Sequence, residues 1–224
     1  VRGLFATFEG VEGAGKSTRC RALFDSLRRM GSEVVHTREP GGPPVSERIR
    51  ETLLDPSLQV PAMTELLLYL ASRSADVDLV IRPSLDAGRH VVCERFSHAT
   101  IAYQAGGRGL ERESVEKACL LATGGLSPDI TFLLDIDPEE GLGRLHGRSC
   151  RDRIERESLD FHMRVRQTYL ELAGREPGIR VIDASLPGDI QDAKILAGFL
   201  DEMRKRAVCR RSPPVGEGAL ETEI

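Results

Sequence analysis

Eight residues near the start of the chain carry its densest chemistry. Gly10-Val11-Glu12-Gly13-Ala14-Gly15-Lys16-Ser17 fits the pattern G-x-x-x-x-G-K-[ST]. Glycines at these spacings let backbone N–H groups turn inward around phosphate oxygens, and the N-terminus of a following helix adds a favourable dipole. The lysine then reaches β- and γ-phosphates, and the serine hydroxyl serves Mg²⁺. From the chain's own residue frequencies, chance matches are expected on the order of 0.004 times. Gly10, Glu12, Gly13, Ala14, Gly15, Lys16, Ser17 and Thr18 are therefore candidates for holding a nucleoside triphosphate. The N-K-x-D base reader of a GTPase is absent from the sequence. A phosphotransferase needs, in addition, a second site carrying positive charge for its acceptor.

Two arginines suit that second site: Arg38, in Arg38-Glu39-Pro40-Gly41-Gly42, and Arg95, in Glu94-Arg95-Phe96. Each is expected just past the end of a strand, where ligands collect in parallel α/β sheets, so the pair can clamp an acceptor phosphate. Tyr69 and Arg73 are four residues apart on an expected helix and share a face. An aromatic ring there offers a stacking platform for a base, and the guanidinium can donate to a base carbonyl. Residues 147–157 are dense in Arg, Asp and Glu with few apolar anchors. They are expected to form a mobile excursion carrying Arg148, Arg151 and Arg153.

The elements that must position these residues follow from hydrophobic periodicity. Strands are expected at 4–9, 33–37, 90–94, 130–135 and 179–183, and helices at 17–30, 46–54, 64–75, 111–122, 139–145, 159–173 and 189–206. Gly31 suits a helix C-cap and Pro138 a helix start. Alternating strands and helices imply an α/β fold with a parallel sheet, and strands apolar nearly throughout imply helices on both faces. The chain has 224 residues, 40% hydrophobic and 29% charged. This excludes fibrous and broadly disordered classes and fits one domain over 1–206. Residues 207–224, with Pro213-Pro214 and little apolar content, are expected to be a disordered tail. Five scattered cysteines lack metal spacing, and a net charge of −4 argues against a nucleic-acid partner. The longest apolar run is far shorter than the ~20 residues that span a bilayer. No leader pattern precedes the first strand, so no membrane association and a cytoplasmic location are expected.

Taken together, F-E-G-x-E-G-A-G-K-S at 8–17, R-E-P-G-G at 38–42, A-Y-Q-x-G-G-R-G at 102–109 and D-R-I-E at 152–155 resemble the bacterial thymidylate kinases, from about residue 4 to about 206. The resemblance implies the P-loop nucleoside-monophosphate kinase fold: five parallel strands, helices on both faces and a mobile lid at about 147–157. It also implies ATP as phosphoryl donor, dTMP as acceptor, Mg²⁺ and a homodimer. By the same resemblance, Arg38 and Arg95 hold the acceptor phosphate. Tyr69 stands where a phenylalanine stacks on thymine, and Arg73 where an arginine binds its O4 atom. Tyr103 matches a tyrosine that crowds the sugar 2′ position, with Thr100 and Gln104 as its polar neighbours. Glu12 matches an acidic residue that meets the sugar 3′-OH. Gly13 stands where one subclass carries an arginine, which places the chain in the subclass whose lid supplies it. Arg153 is then the leading candidate, with Arg148 or Arg151. Adenine is expected between the lid and residues 183–186.

The sequence departs from the family pattern at Glu94, where the family usually has Asp. Glu94 is expected near Mg²⁺ together with Ser17, and a longer side chain can alter metal geometry. Deoxynucleoside kinases use a glutamate in a similar motif as base for a neutral 5′-hydroxyl. A nucleoside kinase with Glu94 as base is therefore an alternative, and a catalytically silent nucleotide-binding paralogue is another. Arg38 and its glycine-rich motif favour an acceptor that carries its own phosphate. Pro43 and Ala99 replace hydroxyl-bearing residues and remove a possible hydrogen bond each.

Overall fold

Runs rich in Val, Ile and Phe form strands β1 (Phe5–Glu9), β2 (Val34–Arg38), β3 (His90–Glu94), β4 (Ile130–Asp135) and β5 (Ile179–Asp183). They pair in parallel in the order β2-β3-β1-β4-β5. The structure, a computed structural model, describes residues 2–145 and 152–209. Side chains alternate across the sheet with the period of two that a strand dictates. Phe5, Val91 and Cys93 join Val77, Ile81, Leu85 and Phe96 on one face. Ala6, Phe8 and Val92 join the larger core on the other. Both faces are apolar, so both must be covered.

The covering helices are α1 (Lys16–Arg29), α2 (Pro44–Leu54), α3 (Ala62–Asp76), α4 (Arg82–Asp86), α5 (Ser97–Thr100), α6 (Arg112–Thr123), α7 (Pro138–Arg144), α8 (Leu159–Arg175) and α9 (Gly188–Cys209). Their ends have local causes. The N–H of Gly31 bonds to the Arg28 carbonyl and that of Ser32 to the Leu27 carbonyl, which closes α1 while Gly31 takes φ +82°. Asp137 caps α7 ahead of Pro138, and the Ser158 hydroxyl caps α8.

Two stretches where periodicity does not predict a helix are helical. Residues 77–86 continue α3 through a π-helical segment, Val77–Ile81, into α4. The wider turn lets the chain absorb Pro83, which falls in the first turn of α4 where a missing N–H is tolerated. Residues 97–107 run from α5 into a second π-helical segment, Ile101–Gly107. Its glycine pair reads as a loop signal, but a Cβ at Gly106 would collide with Thr168 and one at Gly107 with the Phe161 ring. These glycines serve the close approach of α8. Of the excursion expected at 147–157, residues 152–157 are described, and they are anchored: Ile154 joins the main core and Glu155 is buried. The last helix reaches Cys209, past the end expected at 206. The rest of the expected tail lies outside the described residues. Among the described residues no helix is long and apolar enough to cross a membrane.

β1 is central, with β3 on one side and β4 on the other. Connections leave it in both directions, and the crevice beyond its carboxyl end is where such a sheet binds ligands.

Candidate active site

A cavity of about 400 Å³ opens at that crevice, walled by the segments that follow β1, β2 and β3. The loop between β1 and α1 turns on Gly13 (φ +73°) and Gly15 (φ +88°), conformations that side chains resist. Lys16 is buried, and its Nζ donates to the Val11 carbonyl at 2.7 Å and lies 3.8 Å from Glu12. Burial, reinforced by the Arg95 charge, draws the lysine down to about 8. The Ser17 hydroxyl donates to Glu94 Oε1 at 2.8 Å. A hydroxyl and a carboxylate side by side form a hard-oxygen pair that suits Mg²⁺, which takes few protein ligands and completes its shell with water and phosphate oxygens. Among the described residues there is no group of three or more His, Cys, Asp or Glu fit to cage a metal by themselves.

Gly13 also meets the backbone of α7. A Cβ there would collide with the Gly141 carbonyl, and a Cβ on Gly141 with the Glu12 carbonyl. The loop therefore has no room for an arginine at position 13.

At the centre stands Arg95, whose φ of +66° is left-handed and uncommon for a residue with a side chain. The turn is pinned by Glu9, which is fully buried. Its Oε1 accepts from the N–H groups of Phe96 and Ala99, and its Oε2 from the Tyr169 hydroxyl. So oriented, Arg95 donates to Glu12 Oε1 at 2.6 Å and to the Gly10 carbonyl at 3.3 Å, with its guanidinium 4.8 Å from the Tyr103 ring centre. The Tyr103 hydroxyl donates to the same Glu12 oxygen at 2.8 Å. Burial pushes the Glu12 carboxyl up, but Arg95, Lys16 and the Tyr103 hydroxyl outweigh it and hold it at about 2. Glu12 is thus a fixed anion between the two halves of the cavity.

The far wall is cationic. Arg38 is half exposed, and its Nη2 donates to both oxygens of Glu47 (3.2 and 3.1 Å). Arg50, on α2, donates to the Pro40 carbonyl at 2.9 Å. Arg73 is buried on α3: its Nε donates to Glu39 Oε2 at 2.7 Å, its Nη1 to Thr100 Oγ1 at 2.8 Å and its Nη2 to the Phe96 carbonyl at 2.9 Å. Burial raises the Glu39 carboxyl to about 7 in spite of Arg73. Tyr69, one helical turn before Arg73, lines the same wall. Gln104 turns its amide towards Glu65 on α3, at 2.8 Å.

The cavity thus gathers Glu12, Gly13, Gly15, Lys16, Ser17, Thr18, Arg38, Tyr69, Arg73, Glu94, Arg95, Thr100, Tyr103 and Gln104. Gly10 and Ala14 belong to the same loop. Arg153 does not line the cavity: it pairs with Glu65 and donates from Nε to the Leu53 carbonyl at 2.9 Å. Arg148 and Arg151 lie outside the described residues. Of the departures noted, Ala99 lines the cavity, and Pro43 precedes α2, whose first turn begins with Pro44. Near the expected adenine position, Arg144 donates to the Ala184 carbonyl at 3.1 Å and Arg19 to that of Gly188 at 2.5 Å. These bonds tie the loop after β5 to α7 and α1.

Sequence reasoning missed Glu9, Glu39, Arg50 and Glu65. A signal existed for Glu65, which precedes Tyr69 by four residues and Arg73 by eight and so shares their helical face. Arg50 lacked one, because an arginine on an amphipathic helix is normally solvated.

Comparison with known proteins places this architecture. The family profile described as Thymidylate kinase matches residues 8–195. A thymidylate kinase of Deinococcus radiodurans is 46% identical over 197 residues, covering 88% of this chain and 96% of that protein. One of Ectopseudomonas mendocina is 50% identical over 186 residues, covering 82% and 89%. The crystal structure of thymidylate kinase from Ehrlichia chaffeensis superposes with a TM-score of 0.72 at 30% identity, covering 89% of this chain and 99% of that one.

Proposed function

The chain belongs to the thymidylate kinase family: it transfers the γ-phosphoryl group of ATP to dTMP, and we propose the following division of that work among its residues. The observation that carries the reading is that three guanidiniums, Arg38, Arg50 and Arg95, line the same cavity as the phosphate loop. A lining of that charge fits an acceptor that is already anionic.

The loop amides from Gly10 to Thr18 and the Lys16 ammonium hold the donor phosphates. Ser17 and Glu94 would hold Mg²⁺, which would supply positive charge to offset that of the donor phosphates. Arg38 and Arg95 hold the acceptor phosphate in line with the donor, so that attack needs positioning and no covalent enzyme intermediate. Glu12 accepts from the sugar 3′-OH while Tyr103 closes the space beside the 2′ carbon. Tyr69 stacks on thymine, Arg73 donates to it, and Thr100 and Gln104 border the base. A lid arginine, Arg148 or Arg151, meets the charge that spreads over the transferring group, since Arg153 is turned to Glu65 and the Leu53 carbonyl. Adenine lies against the loop after β5.

A neutral 5′-hydroxyl acceptor with Glu94 as base is disfavoured. Glu94 is already engaged by Ser17, and a neutral acceptor leaves Arg38 and Arg50 without a purpose. The enzyme works in the cytoplasm as a homodimer. Support for the dimer comes from exposed apolar side chains on adjoining helices, Met63 and Leu67 on α3 and Leu120 and Leu121 on α6. Light scattering reads the assembly, and a monomer at micromolar concentration contradicts it.

The function is tested by coupled ADP release with ATP and Mg²⁺, comparing dTMP, dUMP, dGMP, dCMP and AMP with thymidine and deoxycytidine. Preference for dTMP is expected. Turnover of nucleosides alone overturns the reading.

A further inference from the structure

Glu65 has no solvent exposure, yet it is a carboxylate on the helix that carries Tyr69 and Arg73. Three side chains from two other segments converge on it. Gln104 donates to Oε1 at 2.8 Å, and Arg108 donates from Nε to Oε1 and from Nη2 to Oε2, both at 3.1 Å. Arg153, from the segment after the undescribed part of the lid, pairs through Nη1 with Oε2. Arg108 also pairs with Glu157 at 2.6 Å, so the same stretch is tied to this cluster at both ends. Burial pushes the Glu65 carboxyl up, but Arg108 and Arg153 outweigh it and keep it below its ordinary value.

Arg153 does a second thing. Its Nε donates to the Leu53 carbonyl at 2.9 Å and its backbone N–H to the Leu54 carbonyl at 3.3 Å. These are the last carbonyls of α2, which have no partner within their own helix and which a cation satisfies favourably. One residue therefore joins the end of α2, which carries Arg50, to the start of α3, which carries Tyr69. It stands on the acceptor side and within electrostatic reach of Tyr69.

We propose that Arg153 and Glu65 are positioning residues for the acceptor site: Arg153 is a strut that seats residues 152–157 on α2 and α3, and Glu65 is its socket. The lid arginine at this position then fixes the wall that recognises the nucleotide's base. The charge on the transferring phosphoryl is met by other groups. The proposal rests on dTMP being the acceptor.

The test is dTMP binding by calorimetry without ATP or Mg²⁺, with kcat and KM measured in parallel. It compares wild type, Arg153→Ala, Glu65→Gln and the double variant. An arginine that acts only on the transferring phosphoryl has nothing to contribute when no donor is present. Arg153→Ala is expected to weaken dTMP binding about tenfold, as loss of a charge-assisted contact does, and to raise KM for dTMP more than it lowers kcat. Glu65→Gln is expected to do the same, and the loss in the double variant to be smaller than the sum of the two single losses, because the Arg153–Glu65 pair is removed by either substitution. Should Glu65→Gln fail to fold, Arg153→Ala decides alone. Unchanged dTMP affinity in Arg153→Ala overturns the proposal, whether kcat falls a hundredfold or not at all. Failure of wild type to bind dTMP strikes instead at the acceptor assignment.

Discussion

The two halves of the cavity are built on different principles. The donor half is nine consecutive residues, 10–18, whose backbone shape is the functional feature and whose lysine and serine follow directly from it. The acceptor half draws side chains from β2, α2, α3, the turn after β3, α5 and the segment Ile101–Gly107, and holds them with ion pairs, the buried one of Arg73 with Glu39 and the partly buried one of Arg95 with Glu12. In the first, recognition and stability reside in different atoms. In the second they share the same guanidiniums. Substitutions should therefore damage turnover selectively on the donor side, and turnover and folding together on the acceptor side.

Lys16→Ala is the sharpest test of that contrast: kcat is expected to fall about 10³-fold while the melting temperature moves little. A large loss of stability would erase the difference between the halves. Arg73→Ala should show the opposite pattern, costing about 3–5 kcal/mol in denaturant unfolding because Glu39 loses its partner in the interior, together with a large rise in KM for dTMP. Gly13→Ala is a donor-side change expected to break the rule, since it forces a side chain against α7 in a left-handed turn. A loss of about 1–3 kcal/mol with poor activity is expected. Acid sharpens the comparison further. Glu12 is held near 2 in the folded protein, below the ordinary carboxylate value of 4.5. Its contribution to stability is thus complete above about 4.5 and is lost as pH falls from there towards 2. Thermal melts from pH 6 to 2.5 should fall less steeply in Glu12→Gln than in wild type. The smallest effect belongs to Tyr69→Phe, which keeps the stacking ring: KM for dTMP should change by less than about threefold.

The same contrast explains what could be read before the structure. The strands, the phosphate loop and its flanking helix were legible because periodicity and the G-x-x-x-x-G-K-S spacing are local properties. The order of the strands about β1 was not, and neither was the π-helical course of Ile101–Gly107, where Gly106 and Gly107 resemble turn signals until α8 is seen against them. Arg38, Tyr69, Arg73 and Arg95 were found as candidates from position, spacing and family resemblance, and the structure brings them into the lining of one cavity. Their supports were hidden. Glu9, Glu39 and Glu65 are buried carboxylates whose partners lie 34 to 160 residues away in sequence, and no window of sequence displays such a pairing. Arg153 was legible as a lid arginine, but not its bond to Glu65.

The contact between Gly13 and Gly141 constrains how such a protein can change over time. A Cβ on Gly13 would need the space of the Gly141 backbone, and one on Gly141 that of the Glu12 carbonyl, so neither position can acquire a side chain by a single substitution without first displacing α7. A descendant that gained an arginine in the loop would have to cross an intermediate with a distorted phosphate loop. That way of supplying transfer charge is separated from this sequence by a barrier in sequence space, and the lineage is held on its side of it by backbone packing.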